Sequence, residues 1–109
     1  MKQIIVITQP EHLADLRQTL VEAGAGGLTV TQVKGYGAAS GNVWPPECRL
    51  RDMSRLEVLL DDADVERLID VILFTLNRSS EPDQGKILVC SFNDAIRIRT
   101  GETGVSSIR

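Results

Sequence analysis

The chain has 109 residues, a hydrophobic fraction of 42%, and a net charge of −3. That length argues for one domain, and the acidic balance disfavours general nucleic-acid binding. One Trp, one Tyr and two Phe leave the core to Ile, Leu and Val, and two cysteines with one histidine provide neither a disulfide framework nor a zinc motif.

Ile4 to Ile7 is a short unbroken apolar run, as expected of a strand buried on both faces. Thr8 and Glu11 stand three apart around Pro10, a capping-box spacing with proline in the first helical turn. Leu13, Leu16 and Leu20 then mark one apolar helix face, and Gly24, Gly26 and Gly27 end it. Leu28 to Gly37 reads as a second strand, with Thr29, Thr31 and Val33 on one face and Leu28, Val30 and Gln32 on the other. A loop opens at Gly35, Gly37 and Gly41 and runs to about Ser54; loops this long are usually functional or disordered.

Arg55 to Leu60 reads as a third strand, with Leu56, Val58 and Leu60 alternating against Arg55, Glu57 and Leu59. Asp62 is placed to cap a second helix, with Asp64 and Glu66 near its positive end. Val65, Leu68, Ile69, Ile72 and Leu76 give that helix its stripe. Asn77 to Gln84 is a polar connection, a fourth strand starts at Gly85, and Ile96-Arg-Ile-Arg99 reads as a closing strand. In that strand Ile96 and Ile98 would enter a core, while Arg97 and Arg99 share the other face. Two such forks suit phosphate or carboxylate, although solvated arginines on an exposed strand are the plainer reading. The order βαββαβ is the ferredoxin-like α+β arrangement, whose fold alone fixes no function.

Residues 29–37 (Thr-Val-Thr-Gln-Val-Lys-Gly-Tyr-Gly), 85–87 (Gly-Lys-Ile) and 95–102 (Ala-Ile-Arg-Ile-Arg-Thr-Gly-Glu) together resemble the PII signal-transduction family, as do the opening Met-Lys-Gln-Ile and the Pro10 helix start. The resemblance spans nearly the whole chain, 1–109, as a single domain. It implies a homotrimer that binds adenine nucleotide in clefts between subunits. It also implies a T-loop at about 38–54, a B-loop at about 81–86 and a C-terminal segment at about 97–109. By resemblance Ile7 and Leu59 flank the adenine, Thr29 contacts the base, and Glu57 lies near base or ribose. Tyr36 and Val58 belong to the same nucleotide set. The polyphosphate would lie against Gly35–Gly37, Gly85, Lys86, Arg97 and Arg99. Glycines at 35, 37 and 85 permit close backbone approach to a phosphate.

The chain also departs from the family pattern. Its loop reads Asn42-Val-Trp-Pro-Pro-Glu-Cys-Arg-Leu-Arg51 and lacks the modifiable tyrosine. Ala38-Ala39 stand where Arg-Gln is usual, and Met53 falls near the place of a 2-oxoglutarate-contacting lysine. Asp83 replaces a B-loop glycine, which points to ADP or AMP over ATP if its carboxylate faces the cleft. A carboxysome-associated branch with short loops responds to bicarbonate, and Lys34, Arg49 and Arg51 are cations that match that anion. The expectation is therefore a cytoplasmic regulatory protein, without membrane insertion or an obligatory cofactor, that acts through its T-loop on a target protein. Inorganic-carbon regulation is the first reading. The alternatives are nitrogen regulation of ammonium transport or glutamine synthetase, and a slow nucleotidase using Glu57 and Asp83. Trp44 is a candidate partner anchor and Cys48 a candidate redox thiol, though a plain loop cysteine is the simpler reading; Cys90 reads as a core residue and His12 as a surface one.

Overall fold

The computed structural model describes residues 1–35, 50–78 and 85–109. In chain order these form β1 (Lys2–Thr8), a 3-10 turn (Pro10–His12), α1 (Leu13–Glu22), β2 (Thr29–Gly35), β3 (Arg51–Leu60), a second 3-10 turn (Asp62–Asp64), α2 (Val65–Leu76), β4 (Lys86–Ser91) and a terminal 3-10 turn (Gly104–Ile108). The four strands make one sheet in the order β2-β3-β1-β4, with every neighbouring pair antiparallel. Two βαβ units therefore interleave, each lending its first strand to the gap in the other. This is the ferredoxin-like α+β fold expected from the sequence.

The strand period of two decides which residues meet the helices. Ile4, Val6, Leu56, Val58 and Leu60 face Leu16, Leu20, Leu68, Ile72 and Leu76 in one core. Ile5, on the opposite face, is only 6% exposed, so β1 is covered on both sides along its middle. Thr75 is buried within α2, where its hydroxyl donates to Val71 O at 2.8 Å. Arg67 ties the helices together, donating to Ala23 O at the end of α1 and pairing with Asp64 at 3.2 Å.

Local chemistry sets the element ends. Gly24 has φ of 96°, its N–H bonds Val21 O, and Ala25 N bonds Leu20 O. That is a Schellman ending, which needs a residue tolerant of positive φ. The first helix does not use the expected capping box. Thr8 is the last residue of β1, paired with Ser54 and fully buried, and Gln9 takes the N-cap position ahead of Pro10. Asp62 does not cap the second helix either. Asp61 precedes the 3-10 turn, Asp64 sits at the N-cap of α2, and Asp62 pairs with the Met1 ammonium at 2.8 Å. That pair, first through its hydrogen bond and then through its charge, lowers the Asp62 pKa below the usual carboxylate value.

Two further boundaries differ from expectation. β3 begins at Arg51, because Arg51, Asp52, Met53 and Ser54 pair with Gly35, Lys34, Val33 and Gln32. Residues 51–54, assigned from sequence to the loop, thus belong to a two-stranded ribbon that runs past the Thr8 end of β1. Their polar composition concealed the strand. The segment 96–99 is not a strand. Ile96 makes one bridge to Thr103, Arg97 N donates to Glu102 O at 2.9 Å, and Gly101 N donates to Arg97 O at 2.8 Å. These bonds close a turn, leaving Ile96 64% and Ile98 100% exposed. Alternation cannot distinguish such a turn from a half-buried strand.

Candidate functional site

Thr29 opens β2 directly opposite Glu57 in β3, and Leu59 follows two residues later on the same face. The sheet face away from the helices is thus where the expected base-contacting residues gather. The loop before β2 and the C-terminal turn fold over this corner and complete a cleft of about 350 Å³. It is lined by Gly26–Thr29, Glu57, Leu59, Arg97 and residues 107–109. Four expected nucleotide residues, Thr29, Glu57, Leu59 and Arg97, therefore share one cavity. Val58 does not join them: its side chain is 1% exposed in the helix-facing core, because its neighbours in β3 take the open face.

Glu57 is held from two sides. Gln3 Nε2 donates to Glu57 Oε2 at 3.2 Å, and Arg55 Nε lies 2.9 Å from Glu57 Oε1. The Arg55 Nε hydrogen is not directed at an acceptor, so this second contact is charge attraction rather than a hydrogen bond. The carboxylate can still accept from a ligand donor, since each oxygen has a second lone pair.

Arg97 and Arg99 do not project as a pair. Arg97 Nη2 donates to Ser107 O at 3.2 Å and to Arg109 O, while its Nε lies 4.0 Å from Glu102 Oε1. Arg99 is exposed within the turn.

Ile7, Gly85 and Lys86 form a second group. Ile7 pairs with Lys86, and a Cβ on Gly85 would lie 1.9 Å from Ile7 O, so the Gly85 backbone rests against β1. This group borders the β4 edge, whereas Thr29 lies on the β2 edge. Three strand spacings, about 14 Å, separate those edges. Within one chain Thr29 and Lys86 are therefore at opposite sides of the sheet, while Glu57 and Ile7 lie on the adjacent inner strands β3 and β1.

Gly35 ends β2 opposite Arg51. Tyr36, Gly37, Ala38, Ala39, Trp44, Cys48, Arg49 and Asp83 lie outside the described residues, as do most of the expected T-loop and B-loop. Of the cations matched to bicarbonate, Lys34 pairs with Asp52 at 3.1 Å. Arg51 lines a groove of about 320 Å³ with Gln9, Pro10, Glu11 and Asp52. Two carboxylates therefore accompany those two cations.

The sequence reading missed Gly26–Leu28 and Ser107–Arg109 as cleft walls, and Gln3 and Arg55 as supports for Glu57. The glycines signalled only a helix stop, and residues 107–109 carry no motif. Gln3 is brought to Glu57 by strand register, which a linear pattern does not reveal. His12 is half-buried, with Nε2 out of solvent and without a hydrogen bond, contrary to its expected surface position. Cys90 is half-buried opposite Gln3 rather than in the main core. Among the described residues no helix is long and apolar enough to cross a membrane, and no His, Cys, Asp and Glu cluster could hold a metal ion.

Comparison with known proteins adds an independent line. A family model described as nitrogen regulatory protein P-II matches residues 1–102. Nitrogen regulatory protein P-II 2 of Methanothermobacter thermautotrophicus is 32% identical over 113 aligned positions, covering 99% of this chain and 97% of the relative. Nitrogen regulatory protein P-II of Cereibacter sphaeroides is 35% identical, and that of Bradyrhizobium diazoefficiens 36%, each across 99% of this chain and 100% of the relative.

Proposed function

The chain belongs to the P-II family of nitrogen regulatory proteins, a family of regulators rather than enzymes, and from that premise we propose that it is a cytoplasmic trimeric sensor of adenine nucleotides. Each nucleotide occupies a cleft between two subunits. One subunit contributes Thr29, Glu57, Leu59 and the C-terminal turn, and its neighbour contributes Ile7, Gly35, Gly85 and Lys86. The observation that carries this reading is that Thr29 lies on the β2 edge of the sheet and Lys86 on the β4 edge. Juxtaposed copies would bring Thr29 and Glu57 of one subunit toward Gly85 and Lys86 of its neighbour.

The T-loop transmits the ligand state to a target protein, because ligand that favours one loop conformation shifts the population toward it. The names of the relatives support nitrogen control, such as ammonium transport or glutamine synthetase regulation, over inorganic-carbon control. The pairing of Lys34 with Asp52 also weakens the bicarbonate reading, since the cation already has an anionic neighbour. Asp83 favours ADP or AMP over ATP by repelling a third phosphate. Ala38-Ala39 and Met53, which lies opposite Val33 in the ribbon, remove the groups that would serve 2-oxoglutarate with Mg-ATP.

Calorimetric titration with AMP, ADP and ATP tests this reading, with bicarbonate added in a parallel series. ADP or AMP is expected to bind more tightly than ATP, Asp83→Gly to restore ATP binding, and bicarbonate to leave nucleotide affinity unchanged. Absence of heat with all three nucleotides would remove the sensor reading. Bicarbonate-dependent affinity would return the carbon reading to first place.

A further inference from the structure

We propose that the end of α2 carries a docking surface for an acidic, apolar peptide segment of a partner protein, built on Leu73, Phe74 and Arg78. This surface goes beyond the nucleotide reading above and does not depend on it.

The end of α2 turns apolar side chains both ways. Ile72 and Leu76 are buried in the core, while Phe74 is 71% and Leu73 44% exposed. A lone exposed apolar side chain is ordinary and needs no reason. Here the two are consecutive, and Leu73 walls a groove of about 190 Å³ together with Leu76, Asn77, Gly85, Lys86 and Ile87. Asn77 follows Leu73 by four residues and Phe74 by three, so the Phe74 ring stands at the border of that groove. Val89 shares the helix-facing side of β4 with Ile87, and it is exposed as well, which prolongs the apolar surface.

The charges set the sign of the occupant. Arg78 lies one turn beyond Phe74, and its guanidinium stands 5.7 Å from the centre of the ring. At that range the ring face attracts the cation. Stacking uses the flat side of the guanidinium and leaves the N–H groups at its edge to take a carboxylate. No carboxylate pairs with Arg78 among the described residues. Asp70 lies one turn before Phe74, so the positive charge sits at the C-terminal end of the patch. Lys86 adds a second cation across the groove, but the nucleotide reading assigns it to phosphate, so Arg78 carries the argument.

An apolar cavity of about 150 Å³ holds a benzene ring, so this groove takes one leucine- or phenylalanine-sized side chain. The fitting occupant is a segment that places such a side chain in the groove and an Asp or Glu, a few residues away, on the Arg78 fork. A second copy joined face to face across a twofold axis would bring two positive patches together, which disfavours it.

The test screens a library of synthetic peptides of known sequence against the native full chain, Phe74→Ser and Arg78→Gln. Both side chains are exposed and outside the nucleotide set, so each variant is expected to fold as the native chain does and to keep its ADP affinity within about twofold. Native protein is expected to select peptides that combine Asp or Glu with Leu, Phe or Trp. Each substitution is expected to weaken the best of them by about tenfold. The loss on Arg78→Gln should shrink as salt rises from about 0.05 to about 0.5 M, because exposed charges are screened. Selected peptides without an acidic preference, selection that Phe74→Ser leaves unchanged, or no selected peptide at all would each overturn the proposal. Self-association of native protein that Phe74→Ser removes, followed by sedimentation, would make a second copy the occupant and would also overturn it.

Discussion

Replacing Gly85 by alanine tests how tightly the second residue group is built. Gly85 has φ of 101°, a conformation that disfavours any residue with a Cβ. Holding alanine there costs about 1–3 kcal/mol. The added Cβ would also stand 1.9 Å from Ile7 O and 2.9 Å from Ile7 C, where ordinary contact begins at 3.4 Å. Both atoms belong to the backbone of β1, so no side chain can rotate away. Relief requires separating the Ile7–Lys86 end of the β1–β4 ladder, at about 1 kcal/mol for a lost hydrogen bond. The expected loss is about 2–4 kcal/mol, a large share of the roughly 5–15 kcal/mol of a small domain. Urea unfolding at one fixed protein concentration measures it, since assembly adds to apparent stability. Gly27→Ala is the control: nothing lies within 4 Å of its Cβ position, and its effect should stay within about 0.5 kcal/mol. Hydrogen exchange should localise the Gly85→Ala damage to Lys86 and Ile87. A loss below about 1 kcal/mol, or equal losses at Gly85 and Gly27, would refute the reasoning.

Ile72 is fully buried between the sheet and α1, so Ile72→Ala should cost about 2–5 kcal/mol in the same urea assay. The Met1–Asp62 pair gives a pH signature. The Asp62 pKa is lowered in the folded state, so its contribution is present above the unfolded value of about 3.9 and is lost as pH falls through the folded value. Native protein should therefore be more stable than Asp62→Asn at pH 7, with the difference declining below about pH 3.9 and vanishing in stronger acid. A difference that does not change between pH 7 and strong acid would contradict that assignment.

Much of the fold was legible because apolar spacing is a local signal. Leu16 and Leu20, Leu68 and Ile72, and Leu56, Val58 and Leu60 all reach the core that their periods implied. Capping was less legible, because several polar residues compete at each helix start. Thr8 and Asp62 both suited a cap, yet strand pairing claimed one and the chain's amino group the other. The Ile-Arg-Ile-Arg alternation looked like a strand, but the hydrogen bonds of the Thr100-Gly101-Glu102 turn won. Within the site, Thr29, Glu57 and Leu59 were legible through family resemblance. Gln3, Gly26 and Ser107 were not, since their roles follow from register and chain packing across long separations.

The central claim is that each nucleotide site needs two chains, and complementation between defective subunits tests it most directly. Glu57→Arg should disable the base-contacting group, and Lys86→Glu the phosphate-contacting group, so that neither homotrimer binds ADP. Unfolding the two together and reassembling an equal mixture should regenerate about a quarter of the clefts, those that combine an intact half from each variant. ADP binding at about that level in the mixed trimers is the predicted result. Failure of correctly assembled mixed trimers to recover any ADP binding would contradict the account.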